Sequence, residues 1–407
     1  MSVTLSATDE RARDVIRQAI VLVVTATLIL AVIGIVMVFS ATSVTSISQA
    51  LVYDNPAARF ADAQRQLTFG IVGVILLPIA AAIPPGFYKR FAWLIFIGAV
   101  ILQYLVLTPL GMSSRGNNNW VNLGGFTLQP SEFLKLAAAL WLAVMVGRLS
   151  RSDMTDLKKV AWPAGSGAMI ALFGVLAGRD MGTAIIFVLM YGVLFWLAGI
   201  PGKWLTVLII CVGIVAVILI AAEPSRLNRV ADYFSNLFVT PDVYDPTQSE
   251  YAMWAFGTGG IGGVGLGASR EKWNYLPEAH NDFIFAVIGE ELGLAGCLAV
   301  ILLFVILGFG LIRIATHHKD MWVRYFVAMI AIWLTGQAVL NMMVVTGVLP
   351  VFGVPLPFIS QGGSSLIACL LAVGVVLSLA LRQPGVMQSL HLSRSAFQST
   401  ASLRSSR

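Results

Sequence analysis

AIVLVVTATLILAVIGIVMVF, residues Ala19 to Phe39, runs for 21 positions without one ionisable side chain. A helix of about 20 such residues spans a hydrocarbon core about 30 Å thick. The run exceeds the roughly 7–15 apolar residues of a signal-peptide core, so it reads as an uncleaved first span. Nine further stretches are long and apolar enough to read as spans. The expected spans are 19–40, 67–83, 91–109, 131–147, 160–177, 183–200, 204–222, 283–312, 325–346 and 364–381. Pro78 marks a kink site in the second, tolerable where neighbouring groups re-satisfy the backbone.

Composition agrees. The chain is 58% hydrophobic and 11% charged, with mean hydropathy +0.85. A soluble domain carries about 25% charged residues. The fold class is therefore all-α, a polytopic membrane protein of about ten transmembrane helices. Cys211, Cys297 and Cys369 all lie in apolar runs and read as small packing residues, not as a disulfide framework. No CxxC motif or His/Cys cluster suggests zinc; the adjacent His317 and His318 fall in a basic connector. No internal repeat or low-complexity segment is visible.

Lysine and arginine set the orientation. With the N-terminus cytoplasmic, inner segments hold 17 of the 26 basic residues and outer segments 8, with Lys135 inside a span. Both termini are then cytoplasmic. Residues 1–18 form a cytoplasmic tail and 19–382 the transmembrane domain. A large extracytoplasmic loop, 223–282, joins helices 7 and 8, and 383–407 is a basic, serine-rich cytoplasmic tail read as disordered. The net charge of +6 follows from this asymmetry and implies no nucleic-acid partner. Chemistry on the outer face has no ATP supply, so the substrate must bring its own activation.

Four polar stretches interrupt the apolar pattern. YLPEAHNDFIFAVIGEE, Tyr275 to Glu291, puts Glu278, His280 and Asp282 where the large loop enters span 8, with Glu290 and Glu291 beyond. Ionisable groups at membrane depth are costly and mark functional sites by default. In WVNLGGFTLQPSEFLK, Trp120 to Lys135, Pro130 suits a first helical turn and Glu132 its positive end. Glu132 and Lys135 share a helix face, either as a self-neutralising pair or as part of a site near the outer end of span 4. VLPVFGVPLPFISQGGSS, Val348 to Ser365, is too rich in proline and glycine for a regular helix. It is either a tight turn or a cavity lining whose Ser360, Gln361, Ser364, Ser365 and Gly362–Gly363 backbone offer donors.

GTGGIGGVGLG, Gly257 to Gly267, has nucleotide-loop spacing but neither a Gly-Lys-Ser/Thr ending nor a βαβ context. It reads as a flexible re-entrant or interfacial segment, with Arg270 and Lys272 placed to meet lipid phosphate. Arg65–Gln66 enters span 2. Asp180 follows Arg179 and either pairs with it or caps the next helix.

Three of these stretches, YLPEAHNDFIFAVIGEELG, LQPSEFLK and VPLPFISQGGSS, in this order within ten spans, resemble the SEDS proteins, the family of RodA and FtsW. The likeness covers about Arg17 to Arg382. The wording around KWNYLPEAHND is closer to FtsW of actinobacterial type than to RodA. The resemblance implies a peptidoglycan glycosyltransferase that polymerises lipid II into glycan strands beside a class B penicillin-binding protein, among membrane lipids. It puts the essential acid at Asp282 and substrate contacts at Glu132, Lys135, Arg65 and Gln66. Arg270, Glu278, His280, Ser360, Gly362, Gly363 and Ser364 join them as candidate substrate-binding groups. No cofactor is required by the pattern. A divalent cation, Mg or Mn, is one means of meeting the diphosphate charge, although no dedicated cage is visible. Gln361 departs from the family's usual tyrosine, Asn281 from its frequent threonine, and Gly178 to Thr183 from its Gln-Pro-Asp-Leu-Gly-Thr turn. RodA-like elongation, a lipid II transporter and a recruiting scaffold are the competing functions.

Overall fold

The computed structural model describes residues 7–52, 60–114, 117–124, 126–150, 153–221, 227–228, 230–231, 233–234, 246–273 and 275–387. The basic tail beyond 387 and much of the 223–282 loop, expected on the outer side, lie outside the described residues.

Helices occupy every expected span. They are α1 (Ala7–Val52), α2 (Ala61–Ala82), α3 (Pro85–Tyr104), α4 (Pro130–Val146), α5 (Leu157–Val160) with α6 (Ser166–Ala177), α7 (Met181–Ala198) and α8 (Gly202–Ala221). After a short α9 (Gln248–Gly259) come α10 (Ile284–His317), α11 (Met321–Ala331) with α12 (Gln337–Val345), and α13 (Gly363–Leu381). Seven spans among the described residues are long and apolar enough to cross a membrane by length and composition. Two of the other expected spans are interrupted or brief. A π-turn at Ala161–Gly165 divides α5 from α6, where Pro163 removes a backbone donor, and α4 has 17 residues. A second π-turn, Ile332–Gly336, separates α11 from α12.

Three details add to the sequence reading. Helix α1 begins at Ala7 and runs to Val52, beyond the expected first span at both ends. The connection before α4 is a three-stranded antiparallel sheet, β1 (Gly111–Ser114), β2 (Asn117–Leu123) and β3 (Phe126–Leu128). Its strands are too short and polar to stand out among ten helical signals. Helix α2 continues through Pro78 without ending.

Helix α13 lies at the centre, with 83% of its apolar window inside the protein. It packs on α2 through small residues. Gly73 meets Leu370, and Gly374 lies against the Leu77 backbone. Such close approach drives helix association where both faces are apolar. Outward positions such as Val32, Ile75, Trp93, Phe173, Trp196 and Phe309 remain apolar and exposed, as lipid contact requires. The two ends of the bundle differ in chemistry. At one end Arg382 donates to the Ala81, Ala82 and Ile83 carbonyls and Arg313 to Gln18. At the other end the four polar stretches gather.

Candidate active site

Residues 278–282 form a tight turn just before α10. Glu278 adopts a left-handed backbone (φ 59°), its carbonyl accepts from the Asn281 and Phe283 N–H groups, and its carboxylate accepts from Asn281 Nδ2. The turn is tied to the 351–362 loop: Gln361 N donates to His280 O (3.0 Å) and Ser360 Oγ to Asn281 O (2.7 Å). The loop itself folds at Gly353 (φ 72°) and Phe358 (φ 65°), with Phe358 buried and its carbonyl pressed against Gly34 of α1. Irregular backbone is thus buried within protein.

Helix α2 supplies the next wall. Gln66 reads both sides of the peptide chain before α13: its Oε1 accepts from Gly362 N (3.2 Å) and its Nε2 donates to Ser360 O (3.4 Å). Arg65 donates to Thr127 Oγ1 (2.5 Å) and lies 5.9 Å from the Phe69 ring centre. The sheet closes the site. Asp180 caps α7 through Thr183 N and also accepts from Asn119 Nδ2 (3.4 Å) and Gln129 Nε2 (3.2 Å). One carboxylate therefore joins β2, the start of α4 and the start of α7.

Two adjoining polar cavities result. The first, about 280 Å³, is bordered by Asp62, Arg65, Gln66, His280, Gly363 and Ser364. The second, about 190 Å³, is bordered by Asp282, Asn117, Asn119, Gln129, Gln248 and Gly353. Trp120, Glu278, Asn281, Gln361 and Gly362 belong to both. A cation thus stands in one chamber and the acid in the other.

The fold brings Arg65, Gln66, Glu278, His280, Asp282, Gly362, Gly363 and Ser364 together around these chambers. Four other candidates lie apart. Glu132 and Lys135 form a 2.8 Å ion pair with each side chain 1% exposed, away from the cavity walls. Lys135 also donates to Gln337 Oε1 (3.0 Å) and lies 4.7 Å from the Trp333 ring centre. The pair turns inward, where Trp333 of the second π-turn and Gln337 at the start of α12 lie against Lys135. The hydroxyl of Ser360 is used in the loop, where it also accepts from Leu356 N (2.7 Å). Arg270 is exposed and borders neither cavity; its N–H donates to Glu290 Oε1 (2.8 Å).

The glycine-rich segment is not free. Helix α10 breaks at Gly293 (φ 68°, ψ −167°), and the opened turn pairs with residues 260–265. Val264 N and Gly265 N donate to Glu290 O and Glu291 O, and Leu294 N and Ala295 N donate to Gly260 O and Ile261 O. Glu290 accepts from Ser269 Oγ (2.5 Å) and two N–H groups of the following turn. Burial, then the charge of Glu290, pushes the nearby Glu271 carboxyl up. Lys272, expected at lipid phosphate, is buried instead and pairs with Glu291 (2.9 Å), to which Ser40 of α1 also donates. Both unassigned acids thus clamp the loop to α10.

Sequence reasoning missed Gln337, Asn341, Asn119, Gln129 and Gln248. Gln337 and Asn341 carried a readable signal, two amides four residues apart in an otherwise apolar span. The other three lie in connections whose fold no periodicity announced. Among the described residues no group of three or more His, Cys, Asp or Glu is placed to hold a metal ion.

The model of the cell cycle protein family of FtsW, RodA and SpoVE matches residues 20–384. A Mycobacterium tuberculosis protein named probable peptidoglycan glycosyltransferase FtsW is 34% identical over 378 residues, spanning 92% of this chain and 70% of that one. Stage V sporulation protein E of Bacillus subtilis is 35% identical over 366 residues, 88% of this chain and 96% of that one. Among solved structures, a chain of a peptidoglycan synthase complex superposes with TM-score 0.70 at 24% identity, covering 89% of this chain and 98% of that one. Thermus thermophilus rod shape determining protein RodA gives TM-score 0.62 at 24% identity, covering 88% and 95%.

Proposed function

The chain belongs to the FtsW, RodA and SpoVE family of cell cycle proteins, and we propose that it is a peptidoglycan glycosyltransferase of the FtsW type, acting in cell division. The substrate is lipid II and the product a growing glycan strand, made at the outer face of the cytoplasmic membrane. A class B penicillin-binding protein is the partner that crosslinks it. The FtsW assignment over RodA rests on relatives such as the mycobacterial protein.

The observation that carries the reaction is the paired cavity, with Asp282 in one chamber and Arg65 in the next. The bond formed joins an acceptor hydroxyl oxygen to the anomeric carbon of the donor sugar. The bond broken is that from the same carbon to the diphosphate, which leaves with the electron pair. Asp282 takes the hydroxyl proton, a role that typically contributes about 10²–10⁴-fold. Attack opposite the leaving group inverts the carbon and needs no enzyme nucleophile. Arg65 and the start of α13 at Gly363 face the chamber where negative charge builds, and preorganised donors there lower the barrier most. Asp62 and Glu278 are the carboxylates that border this chamber, and a divalent cation accompanying the diphosphate would find its protein ligands there.

Purified protein in detergent or liposomes with labelled lipid II tests this. Wild type should form glycan strands, and Asp282→Asn, the same shape without a base, should lose about 10²-fold or more of the rate. Polymer formation by folded Asp282→Asn at the wild-type rate refutes the assignment. Lipid II flipping by wild type without polymer would establish a transporter instead.

A further inference from the structure

Gln337 and Asn341 stand one turn apart on α12, just past the π-turn, in a span that is otherwise apolar. Each is 1% exposed. Their spacing puts both amides on one helix face. Neither borders the cavities, yet both reach the backbone that does.

Asn341 Nδ2 donates twice, at 2.7 Å to the carbonyl of Asp282 itself and at 2.7 Å to Val354 O. Gln337 Nε2 donates at 2.8 Å to Pro355 O, the next carbonyl along. Its Oε1 is turned away by Lys135, which Glu132 and the Trp333 ring hold in place. Pro355 and Gly353 border the same cavity as Asp282, and the Asp282 Oδ2 atom lies 3.4 Å from where a Cβ on Gly353 would stand.

Resting on the glycosyltransferase reading, we propose that Asn341 is the positioning residue of Asp282. It fixes the base by its own peptide and locks that peptide to the chain segment facing the carboxylate. A primary amide suits the task because two carbonyls need two N–H donors from one side chain. A carboxylic acid supplies one donor at most, and an aliphatic residue none. Gln337 steadies the neighbouring carbonyl in the same way from the preceding turn. The Glu132–Lys135 pair then acts at second hand, by orienting Gln337 rather than by touching substrate. Asn341 touches no reacting atom, so its effect passes through the placement of Asp282.

A double-mutant cycle on active protein separates positioning from folding. The variants are Asn341→Ala, Asp282→Asn and the pair together, measured as kcat and KM for lipid II polymerisation per folded protein. Misplacing a reacting group by about 1 Å costs on the order of 10²-fold. Asn341→Ala should therefore lower kcat about 10- to 100-fold with KM within about threefold. Asp282→Asn should then cost at most about tenfold in that background, against about 10²–10⁴-fold alone, because a displaced base has little left to lose.

An amide that only packs the bundle would reduce folded yield and leave the full Asp282→Asn loss in place. That result, or wild-type kcat in Asn341→Ala, overturns the proposal. Asn341→Asp, of nearly the same volume, carries the same cycle should the alanine variant not fold. A wild-type protein that makes no polymer defeats the glycosyltransferase reading itself, a different failure from an additive cycle.

Discussion

Replacing Lys272 by methionine should be among the most damaging single changes outside the cavities. Its ammonium lies 2.9 Å from Glu291 Oε1 and 3.2 Å from Ser40 Oγ, and the two charged side chains are 1% and 0% exposed. Without the lysine, Glu291 keeps two short contacts from one hydroxyl, at 2.7 Å each. A hydroxyl does not neutralise a buried carboxylate. Breaking one partner of such a pair costs about 3–5 kcal/mol, whereas replacing both by apolar groups of similar size is often neutral. At about 1.4 kcal/mol per tenfold, that is two to nearly four orders of magnitude in the unfolding equilibrium.

The double variant Lys272→Met, Glu291→Met leaves the Ser40 hydroxyl buried without its acceptor, a penalty of about 1–3 kcal/mol. The coupling between the two sites should therefore reach at least about 2 kcal/mol, within the range seen for residues in one network. The assay is a denaturant titration in detergent micelles, followed by tryptophan fluorescence, on wild type, both single variants and the double. A Lys272→Met variant within about 1 kcal/mol of wild type, with near-zero coupling, would show that water reaches the pair and would refute the reasoning.

Two further outcomes follow from the same end of α10 and from its other end. Gly293→Ala would set a Cβ 2.4 Å from Gly263 N and 2.5 Å from Ile261 O, in a backbone region that only glycine favours, so it should lose about 1–3 kcal/mol from strain alone. Hydrogen exchange at the Val264 and Gly265 amides should accelerate, while Gly262→Ala, with open space around its Cβ, should change neither. At the opposite end His318 is buried; burial chiefly lowers its pKa below the usual 6.5, partly offset by Asp320. Its ring accepts from Asp320 N and so donates to Leu379 O, which needs the neutral form. The unfolded chain gains a proton from about pH 6.5 downward while the folded one resists, so stability falls as pH drops below that value. Thermal unfolding from pH 8 to pH 5 should show this loss in wild type and a smaller one in His318→Gln; equal slopes would exclude His318 as the source.

The membrane fold was legible because its signal is long-range and repetitive. Runs such as Ala19 to Phe39 need no partner to be recognised, since the hydrocarbon core sets their length. Cavity-lining residues were legible where ionisable or glycine-rich stretches broke those runs, as at Asp282 and Gly362. What stayed hidden was direction. Glu132 and Lys135 occupy one helix face in the sequence, but only the packing of Trp333 and Gln337 against Lys135 decides that this face is interior. Lys272 posed the same difficulty: a lysine beside an apolar loop reads as interfacial until a distant Glu291 and Ser40 are folded against it. The sheet at 111–128 was missed because three- to seven-residue strands give too few alternations to count.

The break at Gly293 has a mechanical side. Residues Ile284 to Leu292 form a stiff rod of nine residues, about 14 Å at 1.5 Å each. One end is held by the clamp to residues 260–272, and Asp282 rides just past the other. A tilt of about 5° at the clamp sweeps the far end through about 1 Å, the displacement that changes rates on the order of 10²-fold. A pull on the 260–272 segment is therefore passed along this rod, as displacement, to the turn that carries Asp282.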